Sequence, residues 1–157
     1  VKLWRVARAA HATSGPAAFT GIGGISVDGR WHTRGRPIVY TARTESLAKL
    51  EALVHLKPAI APRLVLVEAT IPDQLVATLH GAPPAGWNDV PDSGAARSVG
   101  DTWLQSGSSL GLEVPSVHSN TETNVLINPA HPEFAQLVMG DPVPFAFDGR
   151  LIDPSLR

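Results

Sequence analysis

Apolar residues in this chain fall mostly in short runs broken by glycine, proline or polar clusters, the spacing of strands. Leu3-Trp4-Arg5-Val6 predicts a short strand with Arg5 on the face opposite Trp4 and Val6. Pro37 opens a second, Ile38 to Thr41, where a missing N–H is tolerable. Arg63 to Ile71 is rich in valine and leucine and alternates little, which predicts a central strand. Leu112 to Val117 reads as a strand whose Pro115 favours an edge or a bulge. Asn124 to Asn128 is another, closed by Pro129, and Phe145 to Leu151 reads as a late strand with an Asp148-Gly149 hairpin tip. Helical spacing occurs at Leu47, Leu50 and Val54, predicting a helix from Ser46 to Leu56. Thr44 or Ser46 would cap it, and it would end before Pro58. A second, short helix is expected over Val99 to Gln105.

The intervening segments read as connections. Residues 7–24 form a loop ending in Gly21-Ile22-Gly23-Gly24, without the Gly-Lys-Ser/Thr of a phosphate loop. Ile25 to Val27, Asp28-Gly29 and Arg30-Trp31 suggest a hairpin corner. Pro72-Asp73-Gln74 begins a loop or one helical turn. Residues 81–100 carry four glycines and Pro83-Pro84, so they form a long exposed connection or a segment packed on something else. We place this stretch near a partner interface. Strands and helices do not alternate as βαβα, which disfavours a Rossmann-like sheet and points to a mixed α+β fold. With 157 residues, the chain reads as one domain over 1–157.

Composition narrows the function classes. A net charge of −1 gives no electrostatic case for nucleic acid or an anionic membrane. No cysteine is present, which excludes disulfides, thiolate metal sites and a thiol nucleophile. No run approaches the roughly 20 apolar residues of a membrane span. The first residues lack the apolar core of a signal peptide, so the expected location is the cytoplasm. Ten arginines against three lysines suit anion binding, and equally a GC-rich genome.

Three polar side chains have weak local reasons to be where they are. Arg30 follows a turn, Tyr40 ends an apolar run, and Glu51 falls at the edge of a helix's apolar stripe. A carboxylate there must be solvated, paired or employed. The six histidines show no helix zinc spacing, so no metal site is expected. No Gly-x-Ser-x-Gly occurs, and Ser116 on a strand could simply bond its own backbone. Glu51 and Glu68 could form a glycosidase pair, although Glu68 reads better as the end of a solvated face. The remaining constellation joins arginines to one glutamate. Arg5, Arg30, Arg34 and Arg36 could fork onto a diphosphate, Glu51 could steady an oxocarbenium-like sugar, and Tyr40 could hold a flat cationic base. The alternative is that the arginines decorate a hairpin and Tyr40 is a core residue with its hydroxyl satisfied.

These motifs resemble the RES domain family, named for an arginine, a glutamate and a serine. Gly29-Arg30-Trp31-His32, Pro37-Ile38-Val39-Tyr40 and Leu47-Ala48-Lys49-Leu50-Glu51 carry the first two signatures. Val114-Pro115-Ser116-Val117 carries the third, followed by Asn124-Val125-Leu126-Ile127-Asn128-Pro129-Ala130-His131. Trp4-Arg5-Val6 matches the family's aromatic-Arg opening, so the resemblance spans about residues 3–150. The family commonly has Gly-Gly-Arg-Trp-Asn, where this chain has Asp28 for the first glycine and His32 for the asparagine.

The resemblance implies an ADP-ribosyltransferase-like α+β core of two small mixed or antiparallel sheets with flanking helices. It implies a toxin of a type II toxin–antitoxin system that degrades NAD by glycohydrolysis or phosphorolysis. NAD is then a substrate, inorganic phosphate a candidate co-substrate, and no prosthetic group is needed. The implied partner is an Xre-type helix-turn-helix antitoxin, in a hetero-oligomer or with the toxin as a homodimer. By position, Arg5, Arg30, Tyr40, Glu51 and Ser116 would line the cleft, with Asn124 as a further candidate. Glu51 would steady the ribose cation, Arg30 and Arg5 would grip diphosphate or phosphate, Tyr40 would pack on nicotinamide or its ribose, and Ser116 would orient an oxygen. Mono-ADP-ribosylation of a protein, and a catalytically silent binding module, are the competing readings.

Overall fold

β-Branched and leucine-rich runs need partners on both sides, and here they find them in one mixed sheet. The structure is a computed structural model and describes residues 1–56, 62–153 and 155. Its elements are β1 (Lys2–Arg8), α1 (Gly15–Ala18), α2 (Gly23–Ser26), β2 (Val39–Ala42), α3 (Glu45–Leu53), β3 (Leu64–Thr70) and β4 (Val76–Thr78). They continue with α4 (Arg97–Ser106), β5 (Gly111–Pro115), β6 (Thr123–Ile127), β7 (Val138–Met139), β8 (Val143–Phe145) and α5 (Gly149–Ile152). Strand order is β4-β5-β6-β2-β1-β3-β7, with β8 also on β3. Among the described residues, only β4 and β5 pair in parallel.

The α+β class is as expected. The two small sheets expected are instead one continuous eight-stranded mixed sheet, because β1 bridges β2 and β3. β1 pairs with β3 along its whole length, from Lys2↔Thr70 to Arg8↔Leu64. It meets β2 at a single register pair, Trp4↔Ala42. The ladder therefore parts beyond Trp4, and Arg5 sits where it parts.

Alternation along the strands divides two faces. Leu3, Val39, Val65, Val67, Ala69, Val125 and Ile127 face the main core, with Phe19, Ile71, Leu110 and Leu137 from the connections. The other face carries two smaller clusters. One is Trp31, Ile38, Ala96, Trp103, Leu112, Val114 and Leu126, with Tyr40 and Trp87 packed against it. The second is Ala42, Leu47 and Ala48, with Trp4 and Val6. Asn124 is in register with Ala42, so it lies on this second face.

Several expectations are corrected. The stripe of α3 is Leu47 and Ala48, while Leu50 and Val54 are exposed. The helix touches the sheet along a narrow strip, and one turn beyond Leu47 that strip is polar. Glu51 thus sits on the inward face, not at its edge. Thr44 caps the helix, its hydroxyl accepting from Leu47 N at 3.1 Å. The helix ends at Leu53, and Pro58 lies outside the described residues. Pro115 ends an inner strand, because β4 pairs with β5 only as far as Glu113 and leaves Pro115 unpartnered on that side. Residues 145–151 form no hairpin, since Asp148 caps α5 by accepting from Arg150 N. The corner at 25–31 is one helical turn, α2, and an isolated Gly29↔His32 bridge. The expected loop at 7–24 includes α1, capped by Ser14. The short helix begins at Arg97, two residues early. Among the described residues no helix is long and apolar enough to cross a membrane.

Candidate active site

Glu51, Ser116 and Asn124 come together from three elements. Glu51 descends from α3, Ser116 follows the last residue of β5, and Asn124 rises from β6. Ser116 Oγ donates to Glu51 Oε1 at 2.8 Å, and Asn124 Nδ2 donates to the same oxygen at 2.6 Å. Ser116 Oγ also accepts the His118 N–H at 3.0 Å, a local backbone bond made just past the end of the strand and not on it as expected. Glu51 Oε2 has no hydrogen bond among the described residues, and His118 Nε2 stands 3.7 Å from it. The carboxylate is held by one oxygen, and its side chain remains 28% exposed.

Arg5 occupies the parting of β1 from β2. Its Nη1 donates to the Tyr40 carbonyl at 3.0 Å. Its Nε is buried without a partner, and no carboxylate pairs with it among the described residues. Burial lowers its pKa to about 10, which leaves it cationic at neutral pH. A buried guanidinium lacking a counter-charge is a natural anion grip. Asn124 Oδ1 is likewise buried and unpartnered among the described residues.

Tyr40 points onto the same face as Asn124. Its hydroxyl accepts from Trp31 N at 3.1 Å and lies 2.9 Å from His32 Nδ1. Burial pushes its pKa well above the ordinary tyrosine value. The ring is a core element with its hydroxyl satisfied, bonded to the turn that carries Arg30. Gly29 is required there, since a Cβ on it would lie 2.4 Å from the Tyr40 hydroxyl.

Arg30 does not join the Glu51 group directly. Its Nη1 donates to Trp87 O at 2.6 Å and Asp89 O at 3.2 Å, and Nη2 also donates to Asp89 O. Asp92 lies 3.5 Å away and is shared with Arg97, whose Nη2 donates to it at 3.0 Å. The 81–100 stretch is therefore a packed segment, with Trp87 against Trp31 at a centroid distance of 6.0 Å. Arg36 pairs with Asp101. A surface cavity of about 240 Å³ beside Arg36, lined also by Pro37, Leu104 and Asn128, shares no residue with the Glu51 group.

Sequence reading missed His118, Asp92 and Arg97. His118 lies two residues after Ser116, and on a strand that spacing would have kept both on one face. Glu68 is the salt-bridge partner of Lys2 on an open face, not a second acid for Glu51. Among the described residues no group of three or more acidic or imidazole side chains could hold a metal.

A toxin of Yersinia enterocolitica named Toxin Res is 37% identical over 138 residues, covering 86% of this chain and 91% of the relative. A Sphingobium protein named Prs ADP-ribosylating toxin is 37% identical over 154 residues, covering 95% of each chain. In fold, the chain is similar to one in the crystal structure of the M. tuberculosis MbcT–MbcA toxin–antitoxin complex. That match has a TM-score of 0.68 at 16% identity, over 92% of this chain and 84% of the other. The family model described as RES domain matches residues 2–148, taking in Arg30, Glu51 and Ser116 alike, and this chain belongs to that family.

Proposed function

We propose that this protein is the toxin of a toxin–antitoxin pair and that it breaks the nicotinamide–ribose bond of NAD. The observation that carries this reading is the state of Glu51. A carboxylate kept for stability is paired with a cation, as Glu113 is with Arg43. Glu51 has no lysine or arginine on it among the described residues. Two neutral donors fix Oε1 and leave Oε2 open.

That arrangement suits a cation that appears only in the transition state. As the C1–N bond breaks, nicotinamide leaves neutral with the electron pair, and positive charge develops on the ribose. A fixed carboxylate beside it lowers the barrier without reorganising, by about 3 kcal/mol on the scale of one oriented group. Arg5 takes the anionic part of the dinucleotide. Tyr40 packs beside the ribose, and Arg30, whose guanidinium is engaged by the Trp87 and Asp89 carbonyls, holds the 87–92 loop. Ser116 and Asn124 orient Glu51. The acceptor is water or inorganic phosphate, the latter already anionic. The relatives' printed names support toxin and antitoxin roles, and we take the antitoxin to be a helix-turn-helix protein of Xre type that forms a hetero-oligomer with this chain. A second reading, transfer of ADP-ribose to a protein side chain, is favoured by the relative named an ADP-ribosylating toxin.

The test is NAD loss by purified protein, with and without phosphate, for the wild type and Glu51→Gln. The wild type should consume NAD and the variant should not, while both unfold at the same denaturant concentration. Labelled NAD that marks protein instead would select the second reading. Equal turnover by the two proteins would remove Glu51 from the mechanism.

A further inference from the structure

The two oxygens of Glu51 are in different states, and His118 stands beside the open one. Its Nε2 is 3.7 Å from Oε2, and its side chain is 27% exposed. The imidazole is not loosely placed. The His118 backbone N–H donates to Ser116 Oγ, the hydroxyl that holds Oε1, so one serine fixes both the carboxylate and the turn carrying the ring. The next acid on that connection, Glu122, is turned away to the Thr44 hydroxyl at 2.5 Å. Glu51, on α3, is thus the charged group that faces His118 among the described residues.

Resting on the reading of Glu51 given above, we propose that His118 takes the proton from a water acceptor and thereby makes hydrolysis competent. In that step the water oxygen bonds to ribose C1. The C1–N bond breaks with its electron pair passing to nicotinamide, and one water proton moves to a ring nitrogen of His118. Glu51 is poorly suited to receive it. A proton on Glu51 would discharge the group that steadies the cation. A neutral imidazole nitrogen can accept that proton through its lone pair and leave Glu51 charged. Phosphate attacks as an anion and need shed no proton, so phosphorolysis does not call on His118.

The experiment compares wild type, His118→Gln, His118→Ala and Glu51→Gln for NAD loss in phosphate-free buffer and with added inorganic phosphate. Both His118 variants should lose hydrolysis on the order of a hundredfold. They should retain phosphorolysis, and added free imidazole should restore part of the hydrolysis of His118→Ala. A merely structural role would lower both reactions together and give no imidazole rescue. The inference is overturned by that parallel loss, by unchanged hydrolysis in the variants, or by a wild type that consumes NAD only when phosphate is present. In each case a dead Glu51→Gln would leave the reading of Glu51 standing. Residual activity in Glu51→Gln equal to wild type would defeat that reading instead.

Discussion

The Tyr40 hydroxyl lies 2.9 Å from Nδ1 of His32, and the His32 Nε2 lies 3.2 Å from the Gly24 carbonyl. One tautomer satisfies both contacts. Nε2–H donates to Gly24, which leaves Nδ1 to accept from Tyr40, while the tyrosine oxygen accepts from Trp31 N. His32 stands where the family commonly has asparagine, and its ring carries this chain of bonds through the turn that holds Arg30.

Tyr40→Phe should destabilise the fold by about 1–3 kcal/mol, because it strands the Trp31 N–H and the His32 ring nitrogen away from water. Denaturant unfolding of the two proteins measures the difference. A loss confined to activity would mean that the hydroxyl serves the substrate instead.

Acid should weaken the fold through His32. Burial is the largest influence on this ring and holds its pKa below the ordinary histidine value, against smaller opposing effects. Above the unfolded pKa of about 6.5, both states are neutral and the contribution is constant. As pH falls below that value, the unfolded chain takes up a proton that the folded one refuses. Stability then declines until the folded pKa is reached. His32→Asn should flatten this stretch of the stability–pH curve, which chemical denaturation at a series of pH values would follow.

Asn124→Asp sets a second carboxyl 2.6 Å from Glu51 Oε1. Two such groups cannot both ionise at neutral pH, so the pair would keep a proton. NAD turnover should fall to the level of Glu51→Gln at pH 7 and recover as pH rises. Asn124→Ala should lose activity without that recovery. A profile identical for both would deny the charge argument.

Asp92→Ala should release the 87–94 segment, since Arg30 and Arg97 converge on its carboxylate. Amide hydrogen exchange at Trp87, Asp89 and Gly94 should quicken, while β1 and β3 keep their protection. Rates unchanged in the segment would show that the carbonyl bonds of Arg30 suffice on their own.

Much of the fold was legible in the sequence because strand and helix signals are local. The strand at residues 63–71 is an inner one, as its valine- and leucine-rich run implied. Thr44 caps its helix through its hydroxyl and Pro129 follows its strand, both as the sequence displays. β4 and β7 are too short for any period to register, and the Asp148 cap looks like a turn until its partner is known.

The amino-acid order by itself determined which residues could do chemistry: an ill-placed glutamate, a serine beside a strand proline, an arginine between apolar neighbours, and a family signature joining them. Only the tertiary structure decided their partners. It put Ser116 and Asn124, separated from Glu51 by 65 and 73 positions, on one carboxylate oxygen. It drew Arg30 to the 87–92 loop and left Arg5 at the parting of two strands. The physical reason is reach. Propensity and periodicity act over a few residues, whereas a hydrogen bond is set by where the sheet register and the helix docking bring distant side chains within 3 Å.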